Sequence, residues 1–195
     1  MTQTNPRFEA IVMPHLDAAY NLARWLVKDP HAAEDVVQEA YLRAFRYFDS
    51  FRGRAGNGSA EEARPWLLGI VRNTSYSWLQ NAKRANEQVE YSEDTQMDES
   101  LEPAAAMGLE RSHMENPETQ LVRKAERMQL NSAIASLPAT FREVLILREI
   151  EELSYDSIAA AMQIPVGTVM SRLSRARSML RTALEATMGG RSYVA

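Results

Sequence analysis

A chain of 195 residues suits one large or two small domains. Its 22 Lys and Arg against 26 Asp and Glu leave a net charge of -4, which argues against a general polyanion binder but leaves room for local basic patches. Without cysteine there are no disulfides, no thiolate zinc site and no thiol redox chemistry. The N-terminal residues carry neither a basic leader nor a long apolar run, and no apolar stretch reaches the length of a membrane span, so a cytoplasmic protein is expected.

Residues 6–27 read as one helix, with Phe8, Ile11, Val12, Leu16, Ala19, Leu22, Ala23 and Leu26 as its apolar stripe. Asp29 and Pro30 form an N-cap and first-turn pair that opens a second helix to about Phe48. That helix buries Val36, Val37, Ala40, Tyr41, Ala44, Phe45 and Phe48. Its other face carries Asp35, Gln38, Glu39, Arg43 and Arg46, which on composition alone is a solvated surface. Residues 51–63 are dense in Gly and small residues and read as a loop; their spacing matches no phosphate-binding motif. Pro65 then suits a helix start, with Trp66, Leu67, Ile70 and Val71 on a short apolar face. The run Asn73, Thr74, Ser75 offers side-chain hydrogen bonds that compete with the helix, so a break is expected there. A further helix carries Tyr76, Trp78, Leu79, Lys83 and Arg84. Aromatics interleaved with amides and cations suit single-stranded nucleic acid, where bases stack on rings and phosphates meet cations; Trp66 itself reads as core.

From residue 86 to Pro103 the chain has seven acids and no Lys or Arg, and apolar periodicity is lost as far as about Pro117. This is expected to be a flexible acidic linker. Helical pattern resumes near Thr119, with Leu121, Val122, Ala125, Met128, Leu130, Ala133, Ile134 and Leu137 as apolar positions. Pro138 starts another helix with Phe141, Val144, Leu145, Leu147 and Ile150. A helical hairpin follows. Ser154 is its N-cap, with Asp156 in the first turn, and Tyr155, Ile158, Ala159 and Met162 share one face. Gln163 stands where a left-handed residue is needed, at a cost of roughly 1 kcal/mol. Pro165 marks the start of the second helix. Val166, Val169, Leu173, Ala176 and Leu180 pack inward, with small Ala159 and Ala160 allowing a close crossing. Ser171, Ser174, Arg175 and Ser178 face away, flanked by Arg172 and Arg177. A polar and purely cationic helix face of this kind fits the DNA major groove. No strand-like alternation occurs. The expected fold is all-α: two small helical domains, residues 1–85 and 119–188, joined by a linker over 86–118 and followed by a tail over 189–195.

Catalytic signatures are missing. His15, His31 and His113 lie in different segments without metal-ligand spacing, and no nucleophile elbow or Walker motif occurs. Acidic pairs such as Glu34-Asp35 and Glu151-Glu152 read as surface or loop groups. Neither an enzyme, a cofactor nor a metal site is expected.

Four segments in order carry a resemblance: DVVQEAYLRAFR at 35–46, WLLGIVRNT at 66–74, SLPATFREVLILREIEELSYDSIAA at 136–160 and PVGTVMSRLSRARSML at 165–180. With the acidic spacer between them, they resemble a bacterial sigma-70-family factor of the extracytoplasmic-function group. The resemblance implies that residues 6–85 correspond to sigma domain 2. Asp35, Gln38, Glu39 and Arg43 would then dock on the clamp helices of the largest subunit of core RNA polymerase. Asn73 and Thr74 would lie in the loop that captures a base flipped from the −10 element, with Tyr76, Lys83 and Arg84 flanking the strand. Residues 119–185 would correspond to domain 4, which meets the polymerase flap region. Its recognition helix would present Thr168, Met170, Ser171, Arg172, Ser174 and Arg175 to the −35 duplex. The linker would run near the polymerase active-site cleft and RNA exit path. The resemblance also implies promoter DNA as a partner and control by an anti-sigma factor in a stress or envelope response. Met170, Tyr76 and Trp78 depart from what many relatives carry, so base preference does not carry over. Two competing readings are a sigma-like mimic that only sequesters an anti-sigma factor, and a free-standing helix-turn-helix regulator. Asn73, Lys83, Arg84 and the cationic helix argue against the first; the resemblance at 35–46 argues against the second.

Overall fold

In the computed structural model, which describes residues 5–51, 60–89 and 117–189, every regular element is a helix. The expected single helix over 6–27 is two: α1 (Pro6–Val12) and α2 (Leu16–Val27), joined by a 3₁₀ turn at Met13–His15. Pro14 accounts for the break, because it has no N–H to donate and its ring crowds the preceding turn. The start of α1 is capped by the Asn5 carboxamide, which accepts from Arg7 and Phe8 N–H. Helix α3 (Pro30–Tyr47) opens as expected: Asp29 accepts from Ala32 N–H at 2.7 Å.

Helix α4 (Ala60–Val89) differs most from expectation. It begins five residues before Pro65 and runs unbroken through Asn73, Thr74 and Ser75. The hydroxyls that were expected to interrupt it instead donate within it: Thr74 to Ile70 C=O, Ser75 to Val71 C=O and Ser77 to Asn73 C=O, each at 2.9 Å. This back-bonding lets short polar side chains sit in a helix interior. The loop over 51–63 and the linker over 86–118 fall mostly outside the described residues, as does the tail; where described, the linker's ends are helical, in α4 and in α5 (Pro117–Ser136).

Helix α6 (Ala139–Leu145) runs into a π-helical turn at Ile146–Ile150. Residues 142–147 are all buried, so this short segment is covered on every side. The hairpin is α7 (Tyr155–Met162) and α8 (Val166–Gly189). Ser154 caps α7 by accepting from Ser157 N–H at 3.1 Å, and Gln163 is left-handed at φ 55, ψ 44. Val169, Leu173 and Ala176 are buried, as their spacing requires. Ala160 faces solvent, so the close packing falls to Ala159 and Ala161 instead. Six other expected core positions, Leu16, Phe45, Ala125, Met128, Leu130 and Ile150, are exposed.

The two helical domains do not stand apart. Their buried side chains form one continuous apolar cluster from Phe8 to Ala176. Helices α2 and α4 of the N-terminal half pack on α6 and α7 of the C-terminal half. Where α4 meets α7 there is no room for a side chain at Gly69: a Cβ there would lie 3.0 Å from the Ala161 carbonyl oxygen.

Candidate nucleic-acid interface

The polar face of α8 is built by exclusion. Once Val169, Leu173 and Ala176 turn inward, Met170, Ser171, Ser174 and Arg175 are left in solvent, and Thr168 is half covered. The Ser171 hydroxyl donates to Thr168 C=O at 3.0 Å. Arg177, on the flank, is held by Glu149 through two bonds of 3.1 and 2.6 Å. Between α7 and α8 lies a shallow groove of about 370 Å³, bordered by Tyr155, Met170, Ser174, Arg177 and Arg181. A helix that offers hydroxyls and guanidinium groups in this way can donate to phosphate oxygens and to base edges.

A second polar face runs along α4. Asn73, Ser77, Gln80 and Arg84 recur at helical spacing and are all exposed, and Lys83 is exposed beside them. The Asn73 carboxamide oxygen accepts from Arg72 at 3.3 Å. Two residues of the expected strand-reading set sit elsewhere. The resemblance placed Thr74 in a base-capturing loop; it is buried inside the continuous helix, where its hydroxyl donates to Ile70 C=O. Tyr76 is half buried and donates to the Glu143 carboxylate at 2.9 Å. Burial, reinforced by the charge of Glu143 and that hydrogen bond, pushes the Tyr76 phenol well above its ordinary range.

The face of α3 is open. Asp35 and Gln38 are exposed, and Glu39 and Arg43 pair at 2.7 Å across one helical turn. Beside them Leu42 and Phe45 are 54% and 41% exposed. The sequence reading missed Leu42 as a surface residue and placed Phe45 in the core. Leu42 follows Gln38 by four residues and Asp35 by seven, a signal that it shares their outward face. Leu42 and Phe45 thus add exposed apolar surface to an otherwise charged helix face.

Charged residues between the halves were also missed. Glu143 is fully buried and accepts from Arg72 Nε at 2.9 Å, from a terminal nitrogen of Arg72 at 3.3 Å and from Tyr76. A terminal nitrogen of Arg172, on the polar face of α8, approaches it to 3.8 Å. Arg142, also buried, donates to Trp25 C=O at 2.7 Å and Leu137 C=O at 2.8 Å. The first of these satisfies a carbonyl in the last turn of α2, where a cation meets the negative end of the helix. Burial lowers the Arg142 pKa. Glu151, expected on the surface, is buried and held by Arg64 and, at 3.4 Å, by Asn21. Among the described residues no cluster of His, Cys, Asp and Glu could hold a metal ion, and no helix is long and apolar enough to cross a membrane.

Two family patterns match the chain: Sigma-70 region 2 over residues 11–85 and Sigma-70 region 4 over residues 127–180. The RNA polymerase sigma-H factor of Pseudomonas aeruginosa is 34% identical over 179 residues, covering 91% of this chain and 86% of the relative. The ECF RNA polymerase sigma-E factor of Escherichia coli is 36% identical over 148 residues, 75% of this chain and 70% of that one. Among solved structures, the sigma factor RpoE of Bartonella quintana in complex with the anti-sigma factor NepR aligns with a TM-score of 0.67 at 26% identity, covering 93% of this chain and 98% of that one. CnrH, in complex with the cytosolic domain of CnrY, shares the fold at a TM-score of 0.57 and 22% identity, over 93% and 90% of the two chains.

Proposed function

Because this chain belongs to the extracytoplasmic-function group of sigma-70 factors, we propose that it brings core RNA polymerase to promoters by reading the −35 element as duplex and the −10 element as a melted strand. The observation that carries this reading is the pair of exposed polar faces, one on α4 and one on α8, in a chain whose overall charge is negative. Such a chain gains affinity by local contacts, not by a global field. Two weak sites on one chain gain further from effective concentration once a scaffold fixes their spacing.

In this reading Asp35, Gln38, Glu39 and Arg43 meet the clamp helices of the largest polymerase subunit, with Leu42 and Phe45 supplying apolar contact. The domain bearing α8 meets the flap region. Asn73 holds a base extruded from the −10 strand; a few kcal/mol of unstacking is then offset by the pocket that receives it. Lys83 and Arg84 meet the strand backbone. Thr168, Met170, Ser171, Arg172, Ser174 and Arg175 form the −35 reading face. Thr74 supports the helix from inside, and Tyr76 reaches DNA only after leaving Glu143. Control by an anti-sigma factor is supported by the Bartonella quintana relative, whose structure was solved with one bound; the setting that goes with this proposal is a stress or envelope response. The protein acts in the cytoplasm, without catalysis or a cofactor of its own.

The test is run-off transcription with purified core polymerase on a promoter library. Core-dependent transcripts from a defined set of promoters are expected. Failure to bind core, or binding without initiation, overturns the proposal, and the latter outcome favours a mimic that only sequesters an anti-sigma factor.

A further inference from the structure

The contacts between the two halves fall into two kinds. Arg142 and Glu151 tie scaffold groups: the end of α2, Asn21 and Arg64. Glu143 is different. Its carboxylate holds Arg72 and Tyr76, which flank Asn73 on α4, and lies 3.8 Å from Arg172 on the polar face of α8. One buried acid thus engages side chains from both candidate DNA-reading helices.

We propose that Glu143 is an internal lock, holding the two halves in a closed arrangement in which Arg72 and Tyr76 of α4 are withheld from nucleic acid. The consequence at DNA rests on the sigma-factor reading; the lock itself does not. A buried ion pair contributes little net stability compared with apolar packing of the same volume, because desolvation offsets much of the attraction. Its use at a boundary between movable units therefore suits a switch. When the halves part, Glu143, Arg72 and Tyr76 all regain water, so opening exposes no unpaired buried charge. DNA phosphates then compete with Glu143 for the same guanidinium groups. Docking through α3 needs no such release, since Asp35, Gln38 and Leu42 are exposed while the lock is closed. Polymerase docking can thus precede promoter contact.

The full chain is tested by single-molecule energy transfer. With no native cysteine, dyes can be placed at Glu34→Cys and Glu185→Cys, two exposed positions on α3 and α8. The unsubstituted lock should sit mainly at one separation. Glu143→Gln, which keeps the shape and removes the charge, should shift the open-to-closed ratio by about tenfold or more, as truncation of a buried charged partner does at interfaces. Circular dichroism checks that the variant keeps its helices. Should it lose them, Arg72→Met decides, because Arg72 lies at the rim of the contact on a long helix and its change leaves the core intact. Arg72→Met and Glu143→Gln should open the chain non-additively, as groups in one contact do. An unchanged distribution in the variant that keeps its fold, additive effects of the two changes, or a parent chain that is already open would each overturn the lock. A forked promoter fragment added without polymerase separates the two readings. Opening with a gain in DNA affinity supports both. Opening without it leaves the lock standing and counts against the DNA-reading assignment.

Discussion

Gly69 and Gly167 offer the same substitution in two opposite settings. Both lie in helices, and an Ala in a helix interior is favoured over Gly by about 0.8–1.0 kcal/mol. A Cβ at Gly167 would meet nothing within 4 Å, whereas at Gly69 it would stand 3.0 Å from Ala161 O and 3.4 Å from Ala161 Cα. Those atoms are backbone, in the last turn of α7, and cannot swing aside. Inserting a methyl group into a packed contact costs about 1–3 kcal/mol. Gly69→Ala should therefore be neutral to destabilising by about 2 kcal/mol, the helix gain set against the overpacking. Gly167→Ala should gain up to about 1 kcal/mol, less if the first-turn position dilutes the effect. Urea unfolding of the full chain, followed by far-ultraviolet circular dichroism, measures both. Equal gains at the two sites would mean that the α4–α7 contact yields freely, and the close packing of the halves would have to be abandoned.

Three further outcomes follow from single side chains. Asn73→Ala, at an exposed position on α4, should impair open-complex formation by roughly tenfold or more, the worth of one lost specific base contact, with closed-complex binding little changed; equal loss at both steps, read by footprinting, removes the base-capture role. Gln163→Gly should raise stability by up to about 1 kcal/mol by relieving the left-handed backbone at φ 55, and a lower unfolding midpoint would contradict that. Burial, with Asp17 adding to it, raises the Tyr41 phenol from 10.0 to about 12. A raised folded pKa means that this contribution is fully present below the unfolded value near 10 and fades as pH climbs toward 12. Tyr41→Phe should accordingly flatten the loss of stability over that window, and an unchanged pH profile would refute the assignment.

Most of the helices are legible in the sequence because their signals are local. Asp29, Ser154, Pro165 and Gln163 announce caps and a turn within three or four residues of where they act, and the structure uses each of them so. The stripe Val169, Leu173, Ala176 identifies its own buried face, and the polar face of α8 is its complement. Thr74 and Ser75 were misread because a hydroxyl that can break a helix can also bond back into it; length and packing decide between the two, and α4 is anchored along both α2 and α3. Phe45 and Leu130 were assigned to the core by hydrophobicity, but one apolar stripe cannot say how wide a face its neighbours cover.

Glu143 was beyond that kind of reading for a different reason. In α6 it lies one turn before Leu147, itself buried, and Glu151 lies one turn after. A carboxylate on a buried stripe is a conflict between local rules, resolved only when partners arrive from elsewhere in the chain. Here they come from 71 and 67 residues away, Arg72 and Tyr76. Conflicts of this sort concentrate where function sets the sequence against stability. The same reasoning explains why the halves meet through acids, arginines and a glycine as well as through apolar side chains. A purely apolar boundary would hold the closed form against any competitor, and DNA offers little but phosphate and base edges with which to compete. An ionic boundary can be opened by a polyanion, since the groups that close it are those the polyanion binds.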